Sequence, residues 1–329
     1  MGIIVSLCAV LAIMVVAWIG GSISGLQPIF GVLVPYAAFA VFIIGFCRKV
    51  VGWARSPVPF RIPTTGGQEV SLPWIKWAKL DNPSTTAGVI GRMFLEIFCF
   101  RSLFRNTRAD LRSGYLYYSP SKWLWLFAIS FHYAFLIIAL RHLRLFVQPI
   151  PGFIETLDAV DGMFQIGIPP IYITDIVFVG AVTALFCRRL FLSKVRFISL
   201  PADYFPLFLL LGIGITGLLM RFVFRVDIIS VKQLANGLAS LHPTVPDNIG
   251  SIFFIHVALV STLFAYFPFS KLMHMGGVFM SPTRNLANTN RMKRHENPWW
   301  TPPKFHTYEE YEDMYRDLMK EANIPVERE

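Results

Sequence analysis

Six apolar stretches punctuate the chain, at 3–23, 30–52, 123–147, 171–192, 202–225 and 248–275. Each is long enough to cross about 30 Å of hydrocarbon as a helix. A different pattern runs from Thr86 to Phe104, where Val89, Ile90, Met93, Phe94, Ile97 and Phe98 alternate with Arg92, Glu96 and Arg101. That spacing predicts an amphipathic helix lying in the membrane interface or forming a docking face for a partner. Val231, Leu234, Leu238 and Leu241 predict a further short surface helix capping the outer mouth of the bundle. After Asn297 a Pro- and Trp-rich linker leads to an acidic helix at about 307–322. There Tyr308, Tyr311, Tyr315, Leu318 and Met319 fall near one face, suited to docking a cytoplasmic subunit. The expected fold class is all-α, a polytopic membrane helix bundle with about six transmembrane helices. Its divisions are two N-terminal transmembrane helices (1–52), a basic cytoplasmic loop with an interfacial helix (53–122), a four-helix core (123–276) and a cytoplasmic tail (277–329).

Charge placement orients the bundle. Apolar residues make up 54% of the chain and charged residues only 15%, the composition of an integral membrane protein rather than a soluble domain. The net charge of +10 does not indicate nucleic acid as a partner, because the basic residues cluster in loops between apolar runs. A dozen Lys and Arg lie between Arg48 and Lys122, and Arg188, Arg189, Lys194 and Arg196 flank the turn after the fourth span. The 148–170 connection instead carries Glu155, Asp158 and Asp161 with no Lys or Arg. The positive-inside rule therefore puts both termini and the basic loops in the cytoplasm, for a multi-pass protein of the cytoplasmic (inner) cell membrane. The first apolar stretch lacks a basic flank before it and reads as a retained anchor rather than a cleaved signal.

Four of the seven histidines sit in two apolar spans: His132 and His142 in the third, His256 and His274 in the sixth. Ionisable groups at that depth mark function or find a partner. The two spans run antiparallel, so matching depths pair His132 with His274 toward the cytoplasm and His142 with His256 toward the outside. That arrangement supplies two axial imidazoles to each of two haem b groups. Eighteen residues between His256 and His274 rise about 27 Å on a straight helix, against about 15 Å for the ten between His132 and His142. Tilt, ring reach or a kink at Pro268 has to absorb the difference. One tetrahedral zinc site is excluded, since the four rings divide between two depths. Isolated Cys8, Cys47, Cys99 and Cys187 contain no C-x-x-C, which argues against covalent haem or an iron–sulfur cluster in this chain. Arg141, Arg144, Arg221 and Arg225 lie near outer span ends, either snorkelling to the interface or, Arg141 and Arg144 first, meeting haem propionates. Asp175 and Asp203 begin spans, as helix caps or proton-handling groups. No phosphate loop, nucleophile triad or carboxylate pair stands out. The rival class is a haem-free transporter or anchor, whose Gly-broken spans Gly212, Gly214 and Gly217 faintly suggest.

Both histidine spacings, and the approach Pro268-Phe269-Ser270-Lys271-Leu272-Met273-His274, resemble the di-haem cytochrome b family of the respiratory nitrate reductase gamma subunit. The extra N-terminal span, the segment Leu103-Phe104-Arg105-Asn106-Thr107-Arg108 and the Trp299-Trp300 tail look closer to two relatives. These are the membrane subunit of heterodisulfide reductase and that of the sulfite-reduction-associated complex (the DsrM type). The resemblance implies His132, His274, His142 and His256 as iron ligands and menaquinone as substrate near the outer haem. It also implies electron exchange with a cytoplasmic iron–sulfur subunit of the heterodisulfide-reductase kind, in dissimilatory sulfur metabolism. The protein would then be an electron-transfer subunit of an oxidoreductase complex.

Overall fold

The computed structural model describes residues 2–56, 74, 76, 78–163, 169–287 and 303–327. The stiff linker expected at 297–302, with Trp299 and Trp300, lies outside the described residues, as do the basic Arg291, Lys293 and Arg294.

Uninterrupted apolar sequence without Gly-Pro breaks forms α1 (Gly2–Ser22). A tight turn and a π-helical turn at Ile29–Leu33 then lead into α2 (Val34–Ala54). On the basic side α3 (Thr86–Phe98) is capped by the Thr85 hydroxyl, which accepts the Gly88 N–H, and α4 (Arg101–Phe104) follows after a two-residue break. The antiparallel hairpin of β1 (Thr107–Arg112) and β2 (Tyr115–Pro120) comes next, an addition to the all-helical expectation. Its two-residue loop, Ser113-Gly114, has φ of 49° and 82°, the left-handed pair that matches the twist of a tight hairpin. The core comprises α5 (Lys122–His142), α6 (Gly152–Asp161), α7 (Ile173–Phe191), α8 (Ser193–Phe197), α9 (Pro201–Phe222), α10 (Ile228–Ala239) and α11 (Ser251–Tyr266). Short α12 (His274–Gly277) and α13 (Pro282–Asn285) precede the terminal α14 (Tyr308–Glu321).

Among the described residues, five segments are long and apolar enough to cross a membrane: Gly2–Ser22, Ser24–Ala54, Lys122–Leu145, Pro201–Phe222 and Ser251–Phe269. The fourth expected span, at 171–192, forms α7, which has 19 residues but carries Asp175 in its first turn and Arg188 and Arg189 in its last, diluting its apolar run. It nevertheless packs against both α5 and α9. End contacts fix the alternation. Arg141, at the end of α5, meets Asp175 at the start of α7, and Arg221, at the end of α9, donates to the Pro170 carbonyl just before α7. Lys271, beyond α11, binds Asp203 at the start of α9. Gly21 of α1 approaches Phe254 at the start of α11, and Gly45 of α2 approaches Pro268 beyond its end. Six helices thus alternate in direction.

The packing order positions the site. α5 lies on α7, α7 on α9, α9 on α11, and α11 on α1 and α2. The two histidine-bearing elements therefore stand at opposite ends of an arc, and α5 and α11 are not among the helix pairs whose backbones pack closely. Val10, Ala17, Leu209, Ile255, Ala258 and Leu259 form the core where α1, α9 and α11 meet. α10 seals the outer end as its pattern predicts: Val231 and Leu234 pack with Ile249, Phe253 and Phe254, while Leu241 stays exposed.

Candidate functional site

The last span does not run straight through to His274. α11 ends at Tyr266, and two 3-10 turns, Phe267–Phe269 and Lys271–Met273, intervene before His274 opens α12. Pro268 removes a backbone donor, and Ser270 turns extended (φ −121°, ψ 176°), with its hydroxyl accepting the Leu272 N–H. The break falls at Pro268, the kink site expected within the 248–275 span.

All four rings have Nδ1 engaged. His132 Nδ1 lies 2.7 Å from the Ala128 carbonyl, His142 Nδ1 2.7 Å from that of Ile138, and His274 Nδ1 2.8 Å from that of Lys271. A carbonyl only accepts, so each of these nitrogens carries its proton and, in the neutral ring, leaves the Nε2 lone pair free. His256 Nδ1 lies 2.9 Å from Thr216 Oγ1. That hydroxyl spends its one proton on the Gly212 carbonyl at 2.7 Å, so it accepts from His256. The same tautomer results in all four, the form in which a second partner orients a metal-binding imidazole.

Depth pairing is visible at the inner end, where the His132 and His274 ring centroids lie 6.0 Å apart with planes at 78°. Two metal–imidazole bonds of about 2 Å each, plus the ring radii, put opposed centroids about 6 Å apart. His142 ends α5, and His256 lies within electrostatic range of it from across the bundle. Gly217 of α9 faces His256, whose Cε1 sits 3.6 Å from where a β-carbon would stand, while Gly212 and Gly214 face Leu259 and Phe178. These glycines admit neighbouring side chains rather than break the helix. The donor set and the inner spacing fit a bis-imidazole haem.

The outer arginines divide. Arg141 is buried rather than snorkelling, with Nε 2.6 Å from Asp158, Nη1 2.6 Å from Asp161 and its guanidinium 3.2 Å from the Tyr172 ring centre. Asp161 also accepts from the Thr174 backbone and hydroxyl. Arg144 is more open and binds the second oxygen of Asp158 at 2.8 Å. The Arg221 guanidinium also lies over the Tyr172 ring, 4.3 Å from its centre. Asp203 acts as the cap expected of it, accepting the Leu200 N–H at 3.0 Å and the Lys271 ammonium at 2.7 Å. Sequence reasoning missed Thr216 and the Lys271–Asp203 clamp beside His274. A lone threonine among the glycines of an apolar span was the available signal.

The fold defines a multi-pass α-helical membrane protein with imidazoles brought together from opposite sides of its bundle. The profile described as nitrate reductase gamma subunit matches residues 93–295, a stretch that contains all four histidines. The chain belongs to the nitrate reductase gamma subunit family. It is similar to the Hdr-like menaquinol oxidoreductase cytochrome b-like subunit of Archaeoglobus fulgidus, 48% identical over 82% of this chain and 83% of the relative. The corresponding subunit of Archaeoglobus profundus is 43% identical over 82% of each.

Proposed function

We propose that the chain is a di-haem b membrane subunit that passes electrons between menaquinone and a cytoplasmic iron–sulfur subunit of the heterodisulfide-reductase kind, within dissimilatory sulfur metabolism. The observation that carries this reading is the common engagement of four imidazoles, each with Nδ1 held by a backbone carbonyl or by the Thr216 hydroxyl, which leaves Nε2 to bind a metal. His132 and His274 hold the inner group, and His142 and His256 the outer one. Haem supplies reversible one-electron chemistry, tuned by axial ligands and burial. The chain's own residues fix the ring planes and exclude water. Arg144, with a guanidinium less enclosed than that of Arg141, is the better placed of the two to meet an outer propionate. Menaquinone enters this reading through the printed names of the relatives, and its place is near the outer pair. The exposed tyrosine face of α14 receives the cytoplasmic partner.

Pyridine haemochrome analysis of the purified protein tests the proposal, with two haem b per chain expected. His142→Ala and His256→Ala each remove one centre and leave the other, whereas a colourless parent protein defeats the reading.

A further inference from the structure

Phe100 stands in the left-handed region, φ 51° and ψ 46°, where a bulky side chain is rarely found. Such a conformation persists only where its surroundings over-determine it, and here they do. On one side the Phe98 carbonyl accepts the Tyr133 hydroxyl at 2.9 Å, and the Cys99 carbonyl accepts Trp125 Nε1–H at 2.8 Å. On the other, the Ser102 N–H and hydroxyl both donate to Glu96, and Arg101 binds Asp81. The Phe100 carbonyl itself accepts the Phe104 N–H at 2.9 Å. Two of these anchors come from α5, the helix that carries His132.

The clamped turn brings the Phe100 ring to His132. It meets His132 edge to face, with centroids 4.9 Å apart and planes at 87°. Phe131 flanks the same imidazole at 4.8 Å, and the Ala128 carbonyl fixes its Nδ1. Rotation of His132 is thereby blocked by a side chain that the cytoplasmic segment, not the bundle, provides.

We propose that Phe100 is a positioning residue for the inner centre, setting the plane of the His132 ring and keeping cytoplasmic water from it. The inference rests on the reading of His132 as a ligand. It extends that reading to the basic loop, so that a strained turn outside the four-helix core sets the properties of one centre.

Phe100→Gly is the cleanest variant, because glycine accepts the same backbone conformation and removes only the ring. Phe100→Tyr keeps the ring. Both proteins are purified with the parent and compared by haem content, low-temperature electron paramagnetic resonance and redox titration. In Phe100→Gly, both haems should be retained, one low-spin signal should shift, and the midpoint potential of that centre alone should fall as water stabilises the oxidised form. Phe100→Tyr should match the parent. Unchanged signals in Phe100→Gly, equal shifts in both centres, or loss of both haems from both variants each overturns the inference. A parent protein without haem overturns instead the ligand reading beneath it.

Discussion

Thr216 accepts the Nδ1–H of His256 across the α9–α11 interface while giving its own proton to the Gly212 carbonyl one turn back. Thr216 is completely buried, so the donor it satisfies has no water to turn to. Thr216→Val keeps the shape and deletes the acceptor. On the di-haem proposal, retention of the outer haem should weaken about 10–100-fold, the usual cost of losing an outer-sphere partner, while the inner centre is unaffected. Thr216→Ser should restore it. Haem content after dilution into detergent, followed for each centre by its visible band, checks the outcome.

Arg141 is the keystone of the outer end, joining α5 to α6 through Asp158 and Asp161 and to α7 through Thr174 and the Tyr172 ring. Both Arg141 and Asp161 are buried, and loss of Asp161 leaves Arg141 with Asp158 as its close carboxylate. Asp161→Ala should cost about 1.5–3 kcal/mol, the scale for hydrogen bonds to a charged group, short of that for a wholly uncompensated buried charge. Arg144→Ala should cost far less, because its partner Asp158 keeps Arg141. Thermal unfolding of the two variants in the same detergent gives the comparison. Equal effects would mean that the network is not centred on Arg141.

Much of this architecture was legible in the sequence because membrane spans obey simple rules. Long apolar runs must be helices in lipid, and the charges at their ends set the alternation that Arg141–Asp175 and Lys271–Asp203 display. Depth alone paired His132 with His274, and the two rings lie 6.0 Å apart. What escaped were contacts made by residues distant along the chain. Thr216 is 40 residues from His256, and Phe100 lies in a loop whose left-handed turn has no glycine to announce it. The burial of Arg141 was hidden for the same reason: its carboxylates come from a connection with no visible periodic tie to α5. The hairpin has a local signal, Ser113-Gly114 between two short runs, but a turn pair of this kind is weak against the long apolar spans around it.

Asp81 gives the α3–α4 segment a pH dependence. Burial alone would raise its pKa, but hydrogen bonds from Arg101 and Arg105 outweigh that and hold the carboxyl below its ordinary value. A carboxylate depressed in the folded state contributes stability above its unfolded pKa of about 4 and loses it as pH falls through the lower, folded value. The α3–α4 turn should therefore stay anchored from neutral pH down to about pH 4 and loosen below it. Arg105 is about half exposed, so solvent screening keeps the effect small. Hydrogen exchange of residues 99–106 at a series of pH values should show the transition. Asp81→Asn should exchange faster at neutral pH and lose the acid step.

The terminal helix α14 begins with a reciprocal cap, in which Thr307 Oγ1 accepts the Glu310 N–H and the Glu310 carboxylate accepts the Thr307 N–H. Met319, expected on the tyrosine face, is instead buried together with Glu312, which lies one face over and accepts the Glu327 N–H from the returning tail. Tyr308, Tyr311, Tyr315 and Leu318 remain as an exposed stripe, between 44% and 61% accessible. Tail contacts therefore satisfy the Glu312–Met319 side and leave the aromatic side for a partner, with acidic Glu309, Asp313 and Asp317 around it. Tyr311→Ala combined with Leu318→Ser should abolish co-purification of the cytoplasmic subunit from native membranes, while both haem signals persist. Met319→Ser should instead unfold the helix, visible as loss of its capped amides from slow exchange. If the double variant still carries the subunit in parent amounts, the docking face lies elsewhere on the cytoplasmic side.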